Sequence, residues 1–165
     1  PLSPEGGSLH SDFIPASAPR WFVVADSRGR VSWSFTGDDD MRLLVLACEE
    51  TPPGYLARLR ELRIAYLVAG LDRVDLRIGL AKLARDLGVR RVVADSGGTL
   101  NASLFADGLV DLVDIVTLPG LVGGAGTPTM FDGPERVDPA TPIRLELVDV
   151  AEEGGAVRTR YRVLR

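Results

Sequence analysis

The sequence has one cysteine, one histidine and one lysine among its 165 residues, and each scarcity removes a class of chemistry. A lone Cys48 closes no internal disulfide and supplies neither a Cys-x-x-Cys pair nor a metal cluster. Its place after the apolar run Leu43-Leu44-Val45-Leu46-Ala47 favours a buried, inert thiol over a nucleophile, because a free cysteine in such company behaves as a small hydrophobe. His10 lies in an irregular N-terminal stretch, so a His-dependent triad or a His-rich metal site would have to be built on a poorly anchored residue. Neither is expected. No apolar stretch approaches the ~20 residues that a membrane-spanning helix needs. No signal-peptide pattern opens the chain, so the expected compartment is the cytoplasm and no membrane partner is expected.

Positive charge is not gathered anywhere. The single lysine, Lys82, stands beside eighteen arginines, a bias of composition to which no function attaches. The arginines are scattered, the net charge is −4 and the pI is about 5.0, which argues against nucleic acid as a partner. The acidic run Asp38-Asp39-Asp40 is read as a solvated loop in preference to a cation site, since three consecutive carboxylates do not converge on one ion unaided. No metal is expected.

What the chain does have is 45% hydrophobic and 25% charged residues, enough for one compact core. Residues 1–20, rich in Pro, Ser, Gly and Ala, read as an irregular segment, and 21–165 as a single domain without repeats. Trp21 to Ala25, Arg42 to Ala47, Ala65 to Ala69 and Val89 to Ala94 are short continuous apolar runs, the signature of strands buried on both faces. Between them Tyr55, Leu56, Leu59 and Leu62 share one helical face. Asp75 and Gly88 bracket a second helix in capping roles. The rhythm of strand and helix from 43 to 118 predicts a largely parallel sheet covered on both faces. The tail alternates apolar and polar residues over 142–150 and 157–164 around Glu152-Glu153-Gly154-Gly155, which predicts an appended antiparallel hairpin.

The most informative stretch is Val92-Val93-Ala94-Asp95-Ser96-Gly97-Gly98-Thr99-Leu100-Asn101. An apolar run ends in an acid, breaks into a glycine pair and enters an amphipathic segment, the order of a strand, a tight turn and a helix start. Glycines admit close approach of a ligand, and the free amides of a helix N-terminus favour an anion such as a pyrophosphate. Many connections from strand to helix carry glycine for steric reasons alone, and on spacing both readings stand.

Together with Gly108-Leu109-Val110-Asp111 and the run from Pro119 to Gly133, this stretch resembles the riboflavin-biosynthesis reductase domain of the dihydrofolate-reductase-like superfamily. The resemblance extends from Arg20 to Arg165 and is most specific between Arg91 and Asp132. It implies a three-layer α/β fold with a mostly parallel mixed sheet, helices on both faces and a C-terminal antiparallel hairpin. The strand and Ser-x-Asp-Gly turn that open the family's domain have no counterpart among these residues.

The resemblance also implies roles. The backbone of Ser96, Gly97, Gly98, Thr99 and Leu100 would approach the pyrophosphate and nicotinamide side of NADPH. Ser27 and Arg30 match positions that often bind its 2′-phosphate, a group suited to the planar donors of arginine. An ordinary exposed turn is the equal alternative for that pair. Asp95, the implied catalytic acid, stands where glutamate is usual, and Ser96 where glycine is usual. Asn101 either meets the ligand or, the favoured reading, bonds local backbone. Gly120, Gly123, Gly124 and Gly126 form a loop pinned by Pro128 and Phe131.

A hydride-transfer enzyme needs few catalytic side chains, since the cofactor carries the reaction. The expected function is an NADPH-dependent reductase acting on a small heterocyclic or carbonyl substrate, similar to 5-amino-6-(5-phosphoribosylamino)uracil reductase. The expected assembly is a homodimer built around the hairpin. The altered Asp95-Ser96 pair and the missing first strand motivate the alternative, a truncated or divergent binding or oligomerisation domain of the same fold without turnover.

Overall fold

The apolar runs near the N-terminus become the interior of a parallel sheet. The computed structural model describes residues 7–124, 126–133 and 142–165, and they divide into two compact units, Pro1–Val92 and Val93–Arg165. In the first, β1 (Arg20–Ala25), β2 (Met41–Ala47) and β3 (Ala65–Val68) pair in parallel in the order β1-β2-β3. Leu43 to Ala47 are all buried because β2 has a helix on each side. Its odd positions, Leu43, Val45 and Ala47, pack with Leu56 and Leu59 of α1 (Pro53–Glu61). Its even positions, Leu44 and Leu46, pack with Leu83 of α2 (Leu76–Leu87). Strand alternation thus feeds two separate cores from a single run.

The caps read from the sequence are in place. The Asp75 carboxylate accepts from Ile78 N–H at 2.9 Å, and Gly88 ends α2 in the left-handed conformation at φ 67°.

The N-terminal stretch is better anchored than its composition suggests. Phe13 and Ile14 are buried and join opposite cores, and Phe13 forms an antiparallel bridge with Tyr66 of β3. Arg60 stacks over the Phe13 and Tyr66 rings and donates to the carbonyls of Gly7 and Ser8. Two apolar residues and one well-placed guanidinium suffice where periodicity gives no signal.

Val89 to Ala94 do not form the expected strand. Val92 and Val93 are 52% and 82% exposed, and no strand pairs with them among the described residues. An apolar run is competent for a strand, and only a neighbour's hydrogen bonds make it one.

In the second unit, α3 (Gly98–Ala106) precedes β4 (Leu112–Thr117), β5 (Leu145–Glu153) and β6 (Ala156–Val163), with antiparallel order β4-β6-β5. The hairpin turns at Gly154 and Gly155, φ 60° and 83°, the pair of positive values that a tight two-residue turn requires. One face of β6 carries Arg158, Arg160 and Arg162, which pair with Asp149, Asp114 and Glu146 on the flanking strands. The other face carries Val157, Thr159, Tyr161 and Val163, and opposite them on β5 Leu145, Leu147 and Val150 stand 41%, 55% and 54% exposed. The expected mixture of parallel and antiparallel pairing is therefore present, divided between the two units.

Candidate functional site

In the first unit the loops after β1, β2 and β3 lie at the carboxyl ends of parallel strands, the edge where open α/β sheets take ligands. The turn after β1 is built by Asp26, whose buried carboxylate accepts from the N–H groups of Arg30 and Val31 at 2.9 and 3.0 Å. Ser27 Oγ accepts from Val74 N–H at 2.9 Å, and its carbonyl accepts from Thr51 Oγ1 at 3.0 Å, so the loops after all three strands are tied at this one residue. The Ser27 hydroxyl hydrogen has no acceptor among the described residues. Cys48 is fully buried beneath, its Sγ 3.6 Å from the Ser27 carbonyl, in agreement with the structural role read from the sequence.

Gly29 sits in the left-handed conformation at φ 61°, and a Cβ there would lie 2.7 Å from Cγ of Tyr55. The Tyr55 ring is thus seated on the turn. Its hydroxyl accepts from Trp33 Nε1 at 2.7 Å. Burial pushes the Tyr55 hydroxyl up to about 12, the Asp26 carboxylate adds to the rise and the Trp33 N–H opposes it. Arg28 and Arg30 are exposed, and their guanidinium groups have no hydrogen-bond or ion-pair partner among the described residues.

In the second unit, Gly97 caps α3 without a side-chain hydrogen bond. The N–H groups of Gly98, Thr99 and Leu100 have no acceptor among the described residues, the usual state of a helix start. The two glycines differ sharply. A Cβ on Gly97 meets nothing within 4 Å, whereas a Cβ on Gly98 would lie 2.6 Å from Asp132 N and 2.7 Å from Asp132 Oδ2. Gly98 is needed for close approach of the 129–132 turn, in which both Asp132 oxygens accept from Thr129 N–H at 3.0 Å. This helix start is therefore open on the Gly97 side and closed on the Gly98 side.

Ser96 and Asn101 are brought together. Ser96 Oγ bonds Asn101 Oδ1 at 2.7 Å, and Asn101 Nδ2 donates to the carbonyls of Ser96 and Met130, both at 3.1 Å. Asn101 thus serves the backbone, the reading the sequence favoured, and Ser96 helps brace the turn. Phe131 packs edge-on against Phe105 with centroids 5.1 Å apart, pinning the end of the glycine loop. Asp95 is exposed and its carboxylate has no partner among the described residues.

Of the residues flagged in the sequence, Ser27 and Arg30 belong to the first unit, and Asp95 to Leu100 to the second. Sequence reasoning missed Asp26, Trp33 and Tyr55 as supports of the first turn. It also missed the pairing of Thr129 with Asp132, although Thr-x-x-Asp spacing is a local turn signal. In the acidic run, Asp38 Oδ1 accepts from Asp40 N–H and Met41 N–H at 2.9 and 2.8 Å, closing its own turn. No helix among the described residues is long and apolar enough to cross a membrane.

Comparison with known proteins gives a consistent result. Residues 9–157 match the family described as RibD C-terminal domain. The chain is 38% identical over 126 residues to the 2,5-diamino-6-ribosylamino-4(3H)-pyrimidinone 5′-phosphate reductase of Methanothermobacter thermautotrophicus, covering 76% of this chain and 57% of that protein. It is 36% identical over 142 residues to the reductase of the same name from Archaeoglobus fulgidus, covering 84% and 62%. The chain thus spans about three fifths of the length of these curated relatives. Among solved structures, Acinetobacter baumannii RibD shares its fold with a TM-score of 0.69 at 21% identity, over 88% of this chain and 38% of that one.

Proposed function

The chain belongs to the RibD C-terminal domain family, and on that premise we propose that it is an NADPH-dependent reductase of riboflavin biosynthesis. Its substrate in this reading is a phosphorylated ribosylaminopyrimidine, the class named for the relatives in Methanothermobacter and Archaeoglobus. The observation that carries the reading is the 38% identity over 126 residues to the first of these.

The bound cofactor supplies the hydride that reduces an imine or carbonyl of the substrate. The protein's share is placement. The free amides at the start of α3 hold the pyrophosphate on the open Gly97 side, where fixed dipoles favour an anion. Ser27 offers its hydroxyl hydrogen and Arg30 its guanidinium to the 2′-phosphate. Asp95 orients the substrate beside the reacting carbon, a task in which a shift near 1 Å costs about a hundredfold in rate. In this reading 21–165 act as one reductase-like domain in the cytoplasm. The exposed apolar row Leu145, Leu147 and Val150 supports a homodimer, which a solution mass of a single chain would refute.

The run at 89–94, which has no paired strand among the described residues, favours a second reading, a member of the family that binds or associates without turnover. Titration with NADPH followed by nicotinamide fluorescence, then an assay of cofactor oxidation with the pyrimidinone phosphate, decides between them. Binding with turnover is expected. Binding without turnover would leave the second reading standing, and no binding at high micromolar NADPH would overturn the first.

A further inference from the structure

Three contacts hold the turn after β1 in one shape. Asp26 fixes it from below through two backbone N–H groups, Ser27 is tied to Val74 and to Thr51, and the Tyr55 ring is seated on Gly29. The first is a local side-chain-to-backbone contact, and the second ties the turn to the loops after β2 and β3. The third rests on a ring carried by α1, whose hydroxyl accepts from Trp33 Nε1 at 2.7 Å and also hydrogen-bonds the Asp26 side chain. Trp33 in turn packs against the core cluster that contains Leu56 and Leu59. From this turn project Ser27, Arg28 and Arg30, the last two with no competing partner among the described residues.

We infer that Tyr55 is a positioning residue for phosphate discrimination: clamped by Trp33, it keeps the Ser27–Arg30 turn in the conformation that receives a phosphate monoester on a ribose. The inference rests on the reading of Ser27 and Arg30 as ligands of the 2′-phosphate. The physical reason is preorganisation. A turn already in its binding shape gives up little conformational freedom when a phosphate docks, whereas a loosened one must be ordered at that moment. Losing the hydroxyl strands the Trp33 N–H and frees the ring to tilt off Gly29, so the deficit falls on the phosphate contact and not on the rest of the nucleotide.

The test compares calorimetric titrations of the whole chain with adenosine 2′,5′-bisphosphate and with 5′-AMP, which differ only in the 2′-phosphate. The wild type is expected to prefer the bisphosphate. Tyr55→Phe is expected to reduce that preference about threefold to tenfold, the fold-change of one lost hydrogen bond, while binding of 5′-AMP stays as it was. Trp33→Phe removes the same bond from the other side and is expected to show the same pattern, which keeps the test decisive if one variant folds poorly. Equal weakening of both probes would assign Tyr55 to general structure and overturn the inference, as would an unchanged preference in both variants. A wild type indifferent to the 2′-phosphate would instead remove the reading of Ser27 and Arg30, while NADPH oxidation with substrate would still support a reductase.

Discussion

Lys82 Nζ lies 2.9 Å from both carboxylate oxygens of Asp12 and 2.6 Å from the Val68 carbonyl, while Asp12 also accepts from Val68 N–H at 2.8 Å. The two side chains thereby join the N-terminal stretch, the end of β3 and the middle of α2. Both are largely buried, with side-chain exposures of 21% and 28%. Asp12→Ala is expected to cost about 1–3 kcal/mol in urea denaturation, because it leaves an ammonium and a backbone N–H short of an acceptor. Lys82→Met is expected to cost less, since the aliphatic stem is retained. A loss for Asp12→Ala no larger than that of an exposed carboxylate such as Asp39 would show the contact to be incidental.

Tyr55 makes stability depend on alkaline pH. Its hydroxyl is raised from 10.0 to about 12, so between those values the unfolded chain releases a proton that the folded chain keeps. The unfolded state then binds fewer protons, and stability falls as pH rises through that window after being level below it. Tyr66, also raised, with burial as the main cause, acts in the same direction. Denaturation midpoints taken across the window are expected to decline, and the decline is expected to be shallower in Tyr55→Phe. A flat profile in the wild type would contradict this.

On the proposed placement of the cofactor, the glycine pair separates packing from ligand approach. Gly98→Ala forces the 129–132 backbone away and is expected to lower the melting temperature. Gly97→Ala meets open space and is expected to leave melting unchanged, yet to weaken NADPH binding about tenfold or more by standing where the pyrophosphate must approach. NADPH titrations on the two variants, with melting curves alongside, check both outcomes. Unimpaired binding by Gly97→Ala would move the cofactor elsewhere.

Much of the fold is legible where local pattern and tertiary context agree. Leu43 to Ala47 read as a doubly covered strand because they have no polar face, Asp75 and Gly88 announce the ends of α2, and Gly154-Gly155 announces the hairpin. Legibility fails where the outcome depends on a partner distant in sequence. Val89 to Ala94 have strand composition and no paired strand among the described residues, while Phe13 and Ile14 have no pattern and are held by the core.

The site divides in the same way. Gly98 is legible as a position needing close approach, but the approaching group is the chain's own Asp132, thirty-four residues away, which spacing does not reveal. Ser27 and Arg30 enter as candidates through the resemblance alone. Their scaffold of Asp26, Trp33 and Tyr55 is visible only once α1 is laid against the turn.

The arginine ladder on β6 gives the two units different chemical sensitivities. Alignment of the second sheet is written partly in charge, since shifting β4 by two residues would set Arg160 against Leu112 or Val116 in place of Asp114. Ions in solution compete for such pairs, while they leave a sheet sealed by hydrocarbon on both sides untouched or tightened. Ionic strength should therefore act as a selective solvent, loosening Val93–Arg165 before Pro1–Val92 and making the order in which the protein comes apart a matter of the buffer.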